Sequence, residues 1–242
     1  MRALRIILVI VVVLGGLFVL ADRLLVGFAE DKAADQLRSS EGLDKAPDVS
    51  INGFPFLTQV VSGELDDVEV GIDGLNASQD GESVRIDELK AKMSGVEFSS
   101  DYSSATAAEA TGSARISYDE LLKAAKVKPV EIAPGVTAQV VGLSDGGDGK
   151  IKVTVEGTVL GQKIPAEVLS SADVTDGNTV RVHADALPKL GAVPIADKKM
   201  REITDFQQKI DELPTGIDLD KVKAQKDGVS ITVKGSGVKL AG

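Results

Sequence analysis

The chain of 242 residues has no cysteine and a single histidine. Without cysteine there are no disulfides, no thiolate metal sites and no lipidated N-terminal Cys. One imidazole and no thiolate leave a zinc site without support. Aromatic residues make up only 3% of the chain against 43% hydrophobic residues overall. Any packed core is therefore aliphatic. Basic residues are also in deficit: the net charge is −10, and residues 22–242 alone carry −12. A nucleic-acid partner needs a basic footprint, which this balance excludes. The same charge gives no long-range attraction to an anionic membrane surface.

Catalytic signatures are equally scarce. His183 lies in the alternating run Val180-Arg181-Val182-His183, which puts it on the face of Arg181, with no nucleophile nearby. No G-x-S-x-G elbow occurs. The carboxylate pairs Asp66-Asp67 and Asp119-Glu120 fall on an alternating strand and in a helix cap, both structural settings. Asp145 to Glu156 has the span of a calcium loop. Gly147, Gly149 and Lys150 stand where that loop needs two oxygen ligands and a glycine, so the match fails. The glycines at 146–149 do not open a helix, which removes a phosphate loop. These absences predict a protein that is not an enzyme and uses no cofactor or metal.

What the sequence does have begins at its N-terminus. Arg2 and Arg5 precede an uncharged apolar run from Ile6 to Ala21. A basic start followed by an apolar stretch is the pattern of an export leader. At ~1.5 Å per residue the run makes a helix ~24 Å long, short of a ~30 Å hydrocarbon core. Leu24, Leu25, Val26 and Phe28 extend it if Arg23 snorkels. Asp22, Glu30 and Asp31 follow the run, so the positive-inside bias puts the N-terminus in the cytoplasm and the remainder outside. The expectation is a signal or anchor segment at 1–29 and one extracytoplasmic β-rich domain at 30–242. The domain is either held at the cell membrane, single-pass, or released to the envelope by cleavage after Val19-Leu20-Ala21.

Residues 22–41 have helical spacing, with Leu25, Phe28, Ala29, Ala33 and Leu37 on the apolar side and Gly42 as the stop. From residue 48 the period shifts toward two: Val68, Val70 and Ile72 share one face, and Val84 to Met93 continues the pattern. The turn-rich stretch 144–149 and Asp176-Gly177 mark hairpins. A late strand holds Val229, Ile231 and Val233. Ser117-Tyr118-Asp119-Glu120 is a capping box opening a helix through about Lys126. Met200, Ile203, Phe206 and Ile210 predict a second helix closed by Pro214. The class is α+β, an antiparallel meander with few helices.

Two stretches invite a functional reading. In Gly53-Phe54-Pro55-Phe56-Leu57, two of six phenylalanines flank a proline. Core packing, a ligand mouth and a membrane-dipping edge are all open to them. Ala105 to Ala114 is almost all small residues. It leaves room for a close-packed helix or for an acyl chain.

The run Ile51-Asn52-Gly53-Phe54-Pro55-Phe56-Leu57-Thr58-Gln59, followed by Gly63, Leu65, Val68 and Val70, resembles an actinobacterial family of exported proteins that includes the cell-envelope phospholipid-binding protein LmeA. Asp22-Arg23, Ile116-Ser117-Tyr118, Leu213-Pro214-x-Gly216 and Gly228-Val229 extend the resemblance over most of the chain. It implies a curved antiparallel sheet wrapped on a long helix, as in tubular lipid-binding proteins, and a membrane phospholipid or other acyl-chain lipid as partner. On that reading the chains contact Phe54, Pro55, Phe56 and Leu57, and the headgroup meets the basic cluster of Lys123, Lys126 and Lys128. Lipid transfer extends the same reading. The competing reading is a non-catalytic structural or interaction domain displayed on the membrane, with a solid core.

Overall fold

Alternating strands pair with their sequence neighbours wherever a short turn allows it, and that rule generates most of this molecule. The computed structural model describes residues 2–79, 82–100, 104–124, 128–159, 161–187, 197–210 and 213–241. A helix, α1 (Arg2–Ser40), comes first, then β1 (Asp48–Asn52) and a short α2 (Phe56–Ser62). Three long strands follow: β2 (Glu64–Gln79), β3 (Glu82–Phe98) and β4 (Ala105–Ile116). The middle of the chain holds α3 (Tyr118–Ala124), β5 (Val130–Ala133), β6 (Val136–Asp145), β7 (Ile151–Val159), β8 (Gln162–Thr175) and β9 (Thr179–Ala184). The last part is α4 (Asp197–Thr204), β10 (Phe206–Lys209), β11 (Ile217–Gln225) and β12 (Gly228–Ala241).

The class is α+β, as the sequence indicates, but the strands divide into two six-stranded antiparallel sheets rather than one. One sheet curls into a half-barrel, and the whole is consistent with the tubular lipid-binding fold. The second sheet, ordered β10-β9-β8-β7-β6-β5, is a pure meander. The first is ordered β1-β2-β3-β4-β12-β11. Its last two strands return from the far end of the chain, and Ile231 pairs with Ala114 across the β12–β4 seam.

Two aliphatic cores form, and the one around the second sheet also takes in residues of β11 and β12. Around the second, Val136, Ala138, Ile151, Val153 and Val155 pack with Tyr118 of α3, Met200 of α4 and Val229 of β12. Tyr118 donates its hydroxyl to the Gln225 carbonyl at 2.7 Å. On the first sheet, Phe56, Leu65, Val96, Ala105, Ala107, Ala110 and Val238 pack with Val26 and Ala29 of α1. The lower half of the small-residue stretch therefore fills a core that includes helix α1.

Several sequence expectations shift. Helix α1 ends at Ser40 before Gly42, whose φ is +62°. Its buried stripe is Asp22, Val26 and Ala34, while Leu25 and Phe28 are exposed. The helix is rotated from the expected face because a carboxylate, not a leucine, docks it. Ser117 Oγ accepts the Glu120 N–H at 3.4 Å, but Glu120 accepts from the Arg85 N–H and pairs with Lys123 instead of reaching back. Only half of a capping box forms. The predicted second helix stops at Thr204, and Phe206 lies in a strand paired with Val182. Asp205 causes the break: its carboxylate accepts the Ala184 N–H at 3.1 Å and pulls the chain onto the sheet edge. The predicted end of the α3 helix at Lys126 lies outside the described residues.

Candidate functional site

Cross-strand register assembles the site. One row runs Ile51, Val68, Met93, Ala110 across β1 to β4, and it belongs to the core beneath α1 and α2. Two residues further along each strand comes Val49, Val70, Ala91, Gly112 and, on β12, Val233. The next row is Ile72, Leu89, Ala114 and Ile231. Residues two apart in a strand share a face, so the three rows form one apolar surface. Val49, Val70, Ile72, Leu89, Ala91, Ala114 and Val233 are half-buried and belong to neither core. Among the described residues, this is an aliphatic sheet face continuous with a core but not covered by it.

The opposite face of the same strands is polar. A depression of about 520 Å³ there is lined by Asp48, Ser50, Glu69, Lys90, Lys92, Thr111 and Ser113, together with Val70, Gly71, Ala91 and Gly112 between them. Its lysines are already paired: Lys92 with Asp67 and Glu69 at 2.9 and 2.7 Å, and Lys90 with Glu88 at 2.7 Å. Hydrogen bonds from Lys90 to Glu88, and from Lys92 to Glu69 and Asp67, hold both ammonium groups above the ordinary lysine range. A face whose cations are consumed by its own carboxylates has little left for an anionic ligand.

The Phe54–Leu57 run sits at one end of the apolar face. Phe54–Pro55 is a cis peptide bond that leads into α2. The two phenylalanines diverge: Phe56 is buried in the first core, while Phe54 is 56% exposed. Pro55 and Leu57 are half-buried. Asp22 of α1 caps this short helix, its Oδ1 accepting the Leu57 N–H at 2.9 Å. Arg23 bonds the other Asp22 oxygen at 3.0 Å and lies 5.3 Å over the Phe54 ring. Phe54, Thr58, Gln59, Ser62, Glu64 and Asp66 line a cleft of about 300 Å³. The role of Asp22 has no local sequence signal, since its partner lies 35 positions away.

Of the predicted lysines, Lys123 follows the opposite end of β4. Ala105, at the start of β4, shares the first core with Phe56, and Ile116, at its end, leads directly into α3. Over β4, at ~3.3 Å per residue, the two ends lie about 36 Å apart. Lys123 is paired with Glu120 at 2.7 Å, Lys128 is exposed ahead of β5, and Lys126 lies outside the described residues. His183 shares its face with Arg181, as predicted, and its Nδ1 stands 3.5 Å from Asp173 Oδ2 without a hydrogen bond. Asp67 accepts from Asn52 and pairs with Lys92, a structural role. Among the described residues no group of three His, Asp or Glu converges on a metal-sized point.

No curated protein and no solved structure matches the chain. A family model described as LmeA-like phospholipid-binding matches residues 20–234, which takes in the Asp22–Leu57 clamp, every row of the apolar face and both cores except Val238. On that match, the chain belongs to the LmeA-like phospholipid-binding family.

Proposed function

We propose that this protein binds phospholipid by laying acyl chains along the half-buried apolar face of the first sheet, while α1 holds it at the outer face of the cytoplasmic membrane. The carrying observation is the row Val49-Val70-Ala91-Gly112-Val233 together with Ile72, Leu89 and Ala114 of the next row, which continue a core without being covered by it, while Ile231 at the end of that row packs against the core of the second sheet. Each methylene removed from water there contributes ~0.8 kcal/mol, so a chain of ordinary length needs no headgroup attraction to stay bound. Family membership supports the ligand class. Helix α1 is long and apolar enough to cross a membrane, which supports the anchor. Chains reach the face at the α2 end, beside Phe54, Pro55, Phe56 and Leu57. An exposed acyl-binding face at a membrane also suits lipid transfer, and its role is binding rather than catalysis.

Mass spectrometry of lipid extracted from the purified full-length protein tests the proposal. Co-purified phospholipid is expected from the parent, and Leu89→Lys, which sets a charge in the middle of the face, removes it. A Leu89→Lys protein with the parent's circular dichroism and the parent's lipid content places the binding elsewhere. If the parent carries no lipid and takes none up from vesicles, the interaction-domain reading replaces this one.

A further inference from the structure

Helix α1 carries its exposed apolar residues past its last buried carboxylate. Leu24, Leu25 and Phe28 are all exposed, yet Asp22, earlier in the helix, is 0% exposed. At ~1.5 Å per residue, Phe28 lies ~9 Å further along the axis than Asp22. The run Ile6–Ala21 falls ~6 Å short of a ~30 Å hydrocarbon core, and continuing through Leu25 closes that gap. The bilayer boundary implied by the helix therefore lies beyond Asp22, level with Leu25 to Phe28.

Helix α2 is fixed to α1 below that boundary. Asp22 holds it through the Leu57 N–H, and Arg23 donates to the Gly53 carbonyl at 3.4 Å. The turn that leads into α2 presents Phe54, 56% exposed, and α2 itself presents Val61, 88% exposed. The two charges between the apolar stretches are consumed by each other and by the cap of α2, as a low-dielectric setting requires. Arg23 additionally stacks on Phe54, the contact that desolvation strengthens.

Resting on the anchor reading above, we infer that α2 and the Phe54 turn form a second membrane contact: Phe54 and Val61 insert into the outer interfacial layer beside α1. The occupant is the bilayer itself, because the patch is continuous with the spanning stretch and is clamped to it. The α2 end of the apolar sheet face then rests on the membrane, and a chain passes from bilayer to protein without crossing water.

The chain contains no tryptophan, so a single introduced indole reports its own depth. Full-length Phe54→Trp, Val61→Trp, Leu14→Trp and Val130→Trp variants are each reconstituted in phosphatidylcholine vesicles, with and without brominated acyl chains. The first three replace exposed side chains, and Val130 is an exposed residue on β5, the edge strand of the second sheet. Expected are blue-shifted emission and strong quenching for Phe54→Trp and Val61→Trp, approaching Leu14→Trp, with Val130→Trp unquenched. Water-like, unquenched emission at 54 and 61 beside a quenched Leu14→Trp overturns the docking and leaves the anchor standing. An unquenched Leu14→Trp removes the anchor and the docking together.

Discussion

Asp205 shows how one carboxylate decides a local fold. Burial raises its proton affinity, but hydrogen bonds from the Ala184 N–H, the Thr204 hydroxyl and Arg201 outweigh burial and hold it below the usual aspartate range. A depressed folded-state pKa stabilises the protein above the unfolded value near 3.9, and that contribution is lost as pH falls through the folded pKa. Asp205→Ala should cost about 1–3 kcal/mol at neutral pH, the range for stranding a hydrogen bond to a charged group. Its urea midpoint should also fall less than the parent's between about pH 5 and pH 2. Parallel curves for the two proteins over that acid range would show that Asp205 is not the titrating group. Asp205 was visible in the sequence only as one more acid. Helical spacing continued through Phe206, and periodicity does not register a side chain that bonds a strand 21 positions away. His183 has the opposite lesson: strand alternation alone placed it correctly beside Arg181. His183→Ala should therefore leave lipid content unchanged, and a folded variant that loses its lipid would reveal a site missed here.

At the scale of elements, turns were the most legible feature because backbone geometry restricts their residues. Asp176 and Gly177 both take positive φ in the three-residue turn between β8 and β9, the left-handed conformation that Gly and Asp enter most readily. The Gly228-Val229 pair has another cause. A Cβ on Gly228 would run into the Ile116 carbonyl oxygen and within 2.9 Å of the Ser117 Cα. The glycine lets β12 begin hard against the end of β4. Gly228→Ala should destabilise the domain by about 1–3 kcal/mol, the usual range for forcing an atom into a packed site. Chemical denaturation measures this, and a parental midpoint would mean that the seam relaxes at no cost. No local pattern announced the seam itself, because β4 and β12 meet across about half the chain. That single long-range pairing splits the strands into two sheets where a continuous meander was the simplest expectation.

On the scale of the whole molecule, the apolar face was half legible. Val68, Val70 and Ile72 alternate plainly in the sequence, but alternation is the same whether a face is packed or open. Only the register, with Val68 inside a core and Val70 and Ile72 outside both, separates the two conditions. Charge is distributed to suit a ligand held by its chains. Residues 22–242 carry −12, and Lys92, Lys123, Lys150, Lys163, Lys199 and Lys234 each pair with a carboxylate within 3 Å. Lys123 of α3 follows the far end of β4, about 36 Å along that strand from Ala105, and is already paired with Glu120. Binding should then depend on chain burial and hardly on ionic strength. Raising salt toward 1 M shortens the Debye length to ~3 Å and screens exposed charges almost completely. Lipid retained by the parent in a vesicle-exchange assay should change little over that range, and shortening the acyl chains should weaken it steadily, by ~0.8 kcal/mol per methylene withdrawn from the face. A steep loss of binding with salt, with no dependence on chain length, would instead assign recognition to the headgroup and to a cationic site away from this sheet.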